Sequence, residues 1–116
     1  MGDLSPHFST YEFTCHHCGR IEGPTASLLA VLEHIRTTIG RPLPILSGYR
    51  CPTHNRAIAG ARRSQHLLGR AADFKAGLVS VAQARAAGAR GIGVCAGWVV
   101  HVDVRTVAAP LIFDDC

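Results

Sequence analysis

The chain has 116 residues, 47% of them hydrophobic and 17% charged, with a net charge of +4. That length fits one domain able to bury a core, and the apolar content excludes a disordered chain. No apolar run reaches the roughly 18 residues that span a membrane, and the start Met1-Gly2-Asp3-Leu4-Ser5 is not recognisable as a secretory leader.

Residues 1–24 read as an irregular start pegged by Phe8, Tyr11 and Phe13. Ser9 and Glu12 have capping-box spacing, so a short helical turn is expected there. Thr25 to Ile39 is the clearest helix. Leu28, Val31, Leu32, Ile35 and Ile39 form one apolar stripe at three- and four-residue spacing. Pro24 and Thr25 suit its start and Gly40 its end. His34 lies off the stripe and is assigned to solvent. Ile45 to Arg50 predicts a strand leaving the core for a loop. Pro52 to Ala59 predicts a short helix with Pro52 in its first turn. A loop follows to Ser64, and Arg70 to Phe74 predicts a short strand carrying Asp73. Ser80 suits the N-cap of a helix running to Ala89.

Gly91 to Cys95 predicts a strand, Ala96-Gly97 a turn, and Trp98 to Val104 the strongest strand in the chain. Alternation there assigns Val100, Val102 and Val104 to one face, and His101 and Asp103 to the other. Residues 106–116 read as a tail with an apolar patch at Leu111-Ile112-Phe113. Helices flanking a mostly antiparallel sheet make the chain α+β, a single domain over residues 1–116 with its core from about 8 to 105.

The basic side is almost all arginine, and from His34 to Ala72 there are seven arginines and no acidic residue. Two readings stand: ordinary arginine usage, or a surface for an anionic substrate such as a peptide carboxylate or a cell-wall polymer. Nucleic acid is disfavoured, because aromatic residues are not interleaved with the arginines. The five cysteines are Cys15, Cys18, Cys51, Cys95 and Cys116. An odd count is not a closed disulfide framework. Cys15 and Cys18 have metal-site spacing, with Cys51 or a histidine able to join them. Reduced thiols, a disulfide within the set and a second metal site all remain open. Tyr49 is expected to pack, and His54 to be exposed.

The segment that organises the chemistry runs from Ser64 to Asp73. His66 and Asp73 offer an imidazole nitrogen and a carboxylate oxygen, both zinc ligands. Gly69 between them lets the chain bend so that both point at one ion. The third donor is sought in His101. Asp73 and His101 sit in otherwise apolar strands, where polar groups need partners. Three protein ligands leave a fourth zinc position for water, whose pKa zinc lowers to about 7.

Ser47-Gly48-Tyr49-Arg50, then Ser64-x-His66-x-x-Gly69-x-Ala71-x-Asp73, then Val100-His101-Val102-Asp103 resemble the zinc D-Ala-D-Ala carboxypeptidases and their peptidoglycan endopeptidase relatives. The resemblance covers roughly Phe8 to Arg105. It implies the hedgehog/DD-peptidase fold, a zinc ion on His66, Asp73 and His101, and hydrolysis of stem-peptide amide bonds by a zinc-activated water. Arg50 matches the family arginine that binds substrate and steadies an oxyanion, tasks that suit its several donors. Ser64 either contacts substrate or holds its loop. Several members carry an acid three residues before the last histidine ligand; here that residue is Trp98. Asp103 then has two roles open to it, general base or a partner that orients a ligand.

The expected partner is a peptidoglycan peptide, with no nucleic acid, no membrane span and a monomeric chain. Bacterial or phage origin and action on the cell wall, in the periplasm or outside the cell, follow from the resemblance; an endolysin-like lysis enzyme is one form of it. A zinc-containing binding module of the same fold, without turnover, is the alternative. A zinc-ribbon DNA-binding protein is weaker, since a second cysteine pair is lacking.

Overall fold

The structure, a computed structural model, describes residues 2–116. A 3-10 turn at Thr10–Phe13 opens the chain, and the Ser9 N–H donates to Glu12 Oε2 at 2.9 Å, as the capping spacing predicts. Helix α1 spans Ala26–Ile39, with Thr25 accepting from the Leu28 N–H at one end and Gly40 in the left-handed conformation at the other. Its stripe of Leu28, Val31, Leu32 and Ile35 is buried, and Ile39 is partly buried against the same core. Phe8 and Phe13 join that core edge to face. Tyr11, expected as a third peg, is instead exposed at 78%: residues of a three-residue-per-turn helix cannot all face inward.

Helix α2 is short, Pro52–Ala57, and α3 runs Val81–Ala86 under a Ser80 cap. The sheet comprises β1 (Ala71–Asp73), β2 (Gly91–Cys95), β3 (Trp98–Asp103) and β4 (Leu111–Asp114), in the order β1-β3-β2-β4. β1 and β2 both run antiparallel to β3, and β4 is parallel to β2. The fold is thus a small α+β domain with a mixed sheet. The expected tail contributes an edge strand, which its Leu-Ile-Phe patch supports by pairing with Gly91 to Gly93.

Two further expectations are corrected. Ile45 to Arg50 makes only an isolated bridge, Ser47 to Asp73. The backbone of this stretch is committed elsewhere: the Gly48 carbonyl accepts from His66, the Tyr49 N–H donates to Phe13, and the Arg50 N–H donates to the His66 carbonyl. Together with Leu46 and Ser47, which bond the backbone of Asp73, the stretch serves three different neighbours, Asp73, Phe13 and His66, and cannot also build a ladder with one of them. In β3 the register slips opposite Gly93 and Val94, so that Val94 faces Val99 while Gly93 faces His101. Val100 is the extra residue of this bulge. Val99 therefore takes the fully buried seat that strict alternation gives to Val100, while Val102 keeps its own.

Gly69 closes the 3-10 turn Gln65–Leu68 in the left-handed conformation, and a Cβ there would strike the Glu22 carbonyl. Gly69→Ala is therefore expected to destabilise the fold by about 1–3 kcal/mol or more in denaturant unfolding. A loss below about 0.5 kcal/mol, the range of an ordinary surface change, would contradict this account of the turn.

Candidate metal centre

Three elements bring the sequence candidates to one point. The 3-10 turn carries His66, β1 ends in Asp73, and β3 carries His101 directly opposite Asp73 in the ladder. One ligand atom from each lies within 4.8 Å of the others. Asp73 Oδ1 is 3.1 Å from His66 Nε2 and 2.8 Å from His101 Nδ1. The two rings meet edge to face at 5.2 Å.

The hydrogen bonds behind the rings fix which nitrogens carry protons. His66 Nδ1 lies 2.6 Å from the Gly48 carbonyl, which only accepts, so Nδ1 donates. His101 Nε2 lies 2.8 Å from Asp103 Oδ2. Asp103 is ionised and likewise only accepts, so Nε2 donates. In the neutral rings, His66 Nε2 and His101 Nδ1 then turn lone pairs toward Asp73 Oδ1, which has none but lone pairs to offer. Three acceptors facing one another require a cation among them. The donor set, two imidazoles and a carboxylate, is one that zinc takes. A proton is the other way to satisfy the cluster. Burial opposes charge on His101, but the bonds to Asp103 and Asp73 outweigh it and raise its pKa to about 9. Asp73 is held well below the usual carboxylate range: burial works against this, and the closeness of His101 and His66 overrides it.

Asp103 is fully buried and heavily bonded. It accepts from Arg105 Nε at 2.8 Å, Arg105 Nη2 at 2.6 Å, the Arg105 backbone N–H at 3.0 Å and His101 Nε2. Burial would raise its pKa, but the Arg105 and His101 bonds drive it far down instead. A carboxylate so occupied, and absent from the cavity wall, is a poor fit to the base role; its surroundings fit the orientation of His101. β2 makes room for it. Ile92 faces the core, while Gly91 and Gly93 face the site, and a Cβ on Gly91 would collide with the Asp103 carboxylate.

A cavity of about 470 Å³ opens over the cluster, lined by Arg50, Ser64, His66, Asp73, His101 and Asp115 among others. Arg63 and Arg105 also line it, so two of the seven clustered arginines, Arg50 and Arg63, face this space. Arg50 Nη2 donates to Ser64 Oγ at 3.1 Å, and the same oxygen accepts from the His66 N–H at 3.2 Å. Ser64 thus holds both the turn and the arginine. Arg50 Nε is buried without a partner. Trp98 is exposed and does not line the cavity.

Asp115 escaped the sequence reading because it stood in an assumed tail. β4 carries it to the site, its N–H donates to the Val94 carbonyl at 2.9 Å, and the next residue, Cys116, is disulfide-bonded to Cys95. A Cβ on Gly93 would lie 2.7 Å from Asp115 Oδ2 and 2.9 Å from His101 Cβ. The Gly-Ile-Gly pattern of β2 was the one available signal, a strand whose site face is kept bare. Burial first, and then repulsion from Asp73, raise the Asp115 pKa.

Of the cysteine alternatives, a disulfide is formed by Cys95 and Cys116, while Cys15, Cys18 and Cys51 are free. Those three sulfurs also lie within 4.8 Å of one another, a second group able to hold a metal. Tyr49 packs as expected, and His54 is half-buried rather than exposed, stacked on His17.

The family model described as Peptidase M15 matches residues 6–103. No curated protein matches the chain.

His101→Ala is expected to abolish tight zinc binding at this centre, since two protein ligands remain; undiminished zinc at His66 and Asp73 would contradict the assignment. Asp103→Asn is expected to weaken zinc binding about 10- to 100-fold, read by competition with a chromophoric chelator. Unchanged affinity with lost turnover would return Asp103 to the base role.

Proposed function

The chain belongs to the M15 peptidase family, that of the zinc D-Ala-D-Ala carboxypeptidases, and from that premise we propose a zinc-dependent peptidase that hydrolyses amide bonds of peptidoglycan stem peptides. The observation that carries this reading is the convergence of three lone pairs beneath a cavity whose wall holds an arginine with an unpartnered buried donor. Zinc on His66, Asp73 and His101 would supply a Lewis acid that acidifies water and polarises the scissile carbonyl.

The chain's own residues divide the remaining work. His66 is held by Gly48, and His101 by the Asp103–Arg105 pair, so both rings keep their ligand nitrogens toward the cavity. Arg50, propped by Ser64, offers its guanidinium to a substrate carboxylate or to the oxyanion that develops at the carbonyl. Arg63 adds positive charge to the same wall, which suits an anionic peptide. Asp115 is the carboxylate in this cavity that is neither bonded to the imidazoles nor locked by an arginine, and its raised pKa suits a group that takes a proton from water and returns it to the leaving amine. Cleavage at a terminal D-Ala-D-Ala bond would use Arg50 on the free carboxylate; cleavage at a cross-link would use it on the oxyanion. Either would set the protein to work at the cell wall, in the periplasm or outside the cell. The second reading, a peptide-binding module without turnover, draws on Trp98 standing where, by the resemblance, several members carry an acid.

Stem pentapeptide incubated with the zinc-loaded protein is expected to lose its terminal D-Ala, or cross-linked muropeptides to be opened, as read by mass spectrometry. Binding without any hydrolysis would favour the second reading. Arg50→Ala should keep zinc and lose about 10²- to 10³-fold in kcat/KM, the scale of a lost oxyanion donor; unchanged kinetics would remove Arg50 from the site. Asp115→Asn should keep zinc and KM while lowering kcat about 10²- to 10⁴-fold, and wild-type turnover would dismiss Asp115 as the base.

A further inference from the structure

We propose that Cys15, Cys18, Cys51 and His17 form a second, structural zinc site that fastens the N-terminal segment to the segment carrying Arg50. The sulfurs of Cys15, Cys18 and Cys51 converge within 4.8 Å, although Cys51 is 33 residues beyond Cys18 in the chain. His17 Nδ1 stands 3.6 Å from Cys51 Sγ, and the ring is stacked on His54. Its neighbour His16 is engaged elsewhere, with Nε2 at 2.9 Å from the Leu46 carbonyl, and His17, whose ring nitrogen meets the Cys51 sulfur, is the fourth donor assigned.

The backbone around the cluster is arranged for sulfur that carries negative charge. The Cys51 N–H donates to Cys15 Sγ and the His54 N–H to Cys51 Sγ, each at 3.4 Å. The turn bearing Cys15 and Cys18 is closed by the Gly19 N–H on the Cys15 carbonyl at 2.9 Å and by the Cys15 N–H on the Arg20 carbonyl at 2.8 Å. Gly19 adopts φ +74°, which lets the chain reverse just after the second cysteine. Three thiolates and an imidazole form a closed four-ligand set, the mark of a structural rather than a catalytic zinc. Soft sulfur donors select zinc over the hard divalent ions. Binding forms three Zn–S bonds and one Zn–N bond, passes the thiol protons to solvent and changes no oxidation state.

The location gives the ion a task. Cys51 is the N-cap of α2 and directly follows Arg50, and the Tyr49 N–H already bonds the Phe13 carbonyl. An ion held by residues 15–18 and 51 would complete that tie and limit the freedom of the Arg50 backbone. The site stands independently of the reading given to the His66 centre.

The test is zinc K-edge absorption on the full chain, purified reduced and zinc-loaded, as wild type and as His66→Ala, Cys18→Ser and His17→Ala. Removing the His66 centre should leave a zinc with sulfur neighbours at about 2.3 Å. Cys18 is exposed, so Cys18→Ser spares the core; it should lose one zinc equivalent and lower the melting temperature. His17→Ala should keep the sulfur shell and bind that ion at least 10-fold more weakly. Absence of sulfur scattering in His66→Ala, full zinc in Cys18→Ser, unchanged affinity in His17→Ala, or a disulfide among these three cysteines in the zinc-loaded protein would each overturn the proposal.

Discussion

One carboxylate oxygen governs the site. Asp73 Oδ1 faces two imidazole nitrogens whose protons are committed on the far sides of the rings, to Gly48 and to Asp103. Lone pair against lone pair is repulsive at 2.8–3.1 Å unless a cation intervenes. Much of the surrounding architecture maintains that contact. The β1–β3 ladder sets Asp73 opposite His101, the left-handed turn at Gly69 returns the chain from His66 to β1, and bare glycines in β2 admit the carboxylates of Asp103 and Asp115.

The second layer of the site is electrostatic. Asp103 is buried away from solvent, which is tolerable because Arg105 grips both of its oxygens while His101 takes the remaining direction. Removing one member of this chain would leave another charged and unpaired. Arg105 in turn reaches over Phe113, with its guanidinium carbon 5.2 Å from the ring centroid, and the same ring meets His101 edge to face. The edge strand β4 thereby packs against the candidate metal centre as well as delivering Asp115 to it.

Periodicity made α1 and its buried stripe legible, because a single helix with one apolar face needs no partner to be recognised. The three residues that the structure brings together at the candidate metal centre were legible as well, through the spacing of His66 and Asp73 and through polar residues within apolar strands. What the sequence hid depends on long-range pairing. The Ile45–Arg50 stretch has strand composition, yet its backbone groups go to three different neighbours. The bulge at Val100 exchanges the seats of two valines that composition cannot distinguish. β4 owes its existence to a parallel partner twenty residues away, so Asp115 could not be placed from local pattern. Asp103 could be assigned to the face of His101 by alternation, but its grip by Arg105, which decides between proton transfer and orientation, is a matter of side-chain geometry.

The central claim is that the three converging lone pairs hold a divalent cation. Crystals of the zinc-loaded protein, with diffraction recorded on either side of the zinc absorption edge, would test it most directly. The account predicts an anomalous peak bounded by His66 Nε2, Asp73 Oδ1 and His101 Nδ1, with His101 Nε2 still on Asp103. A map without a peak there, with His101 protonated and bonded to both aspartates, would contradict it.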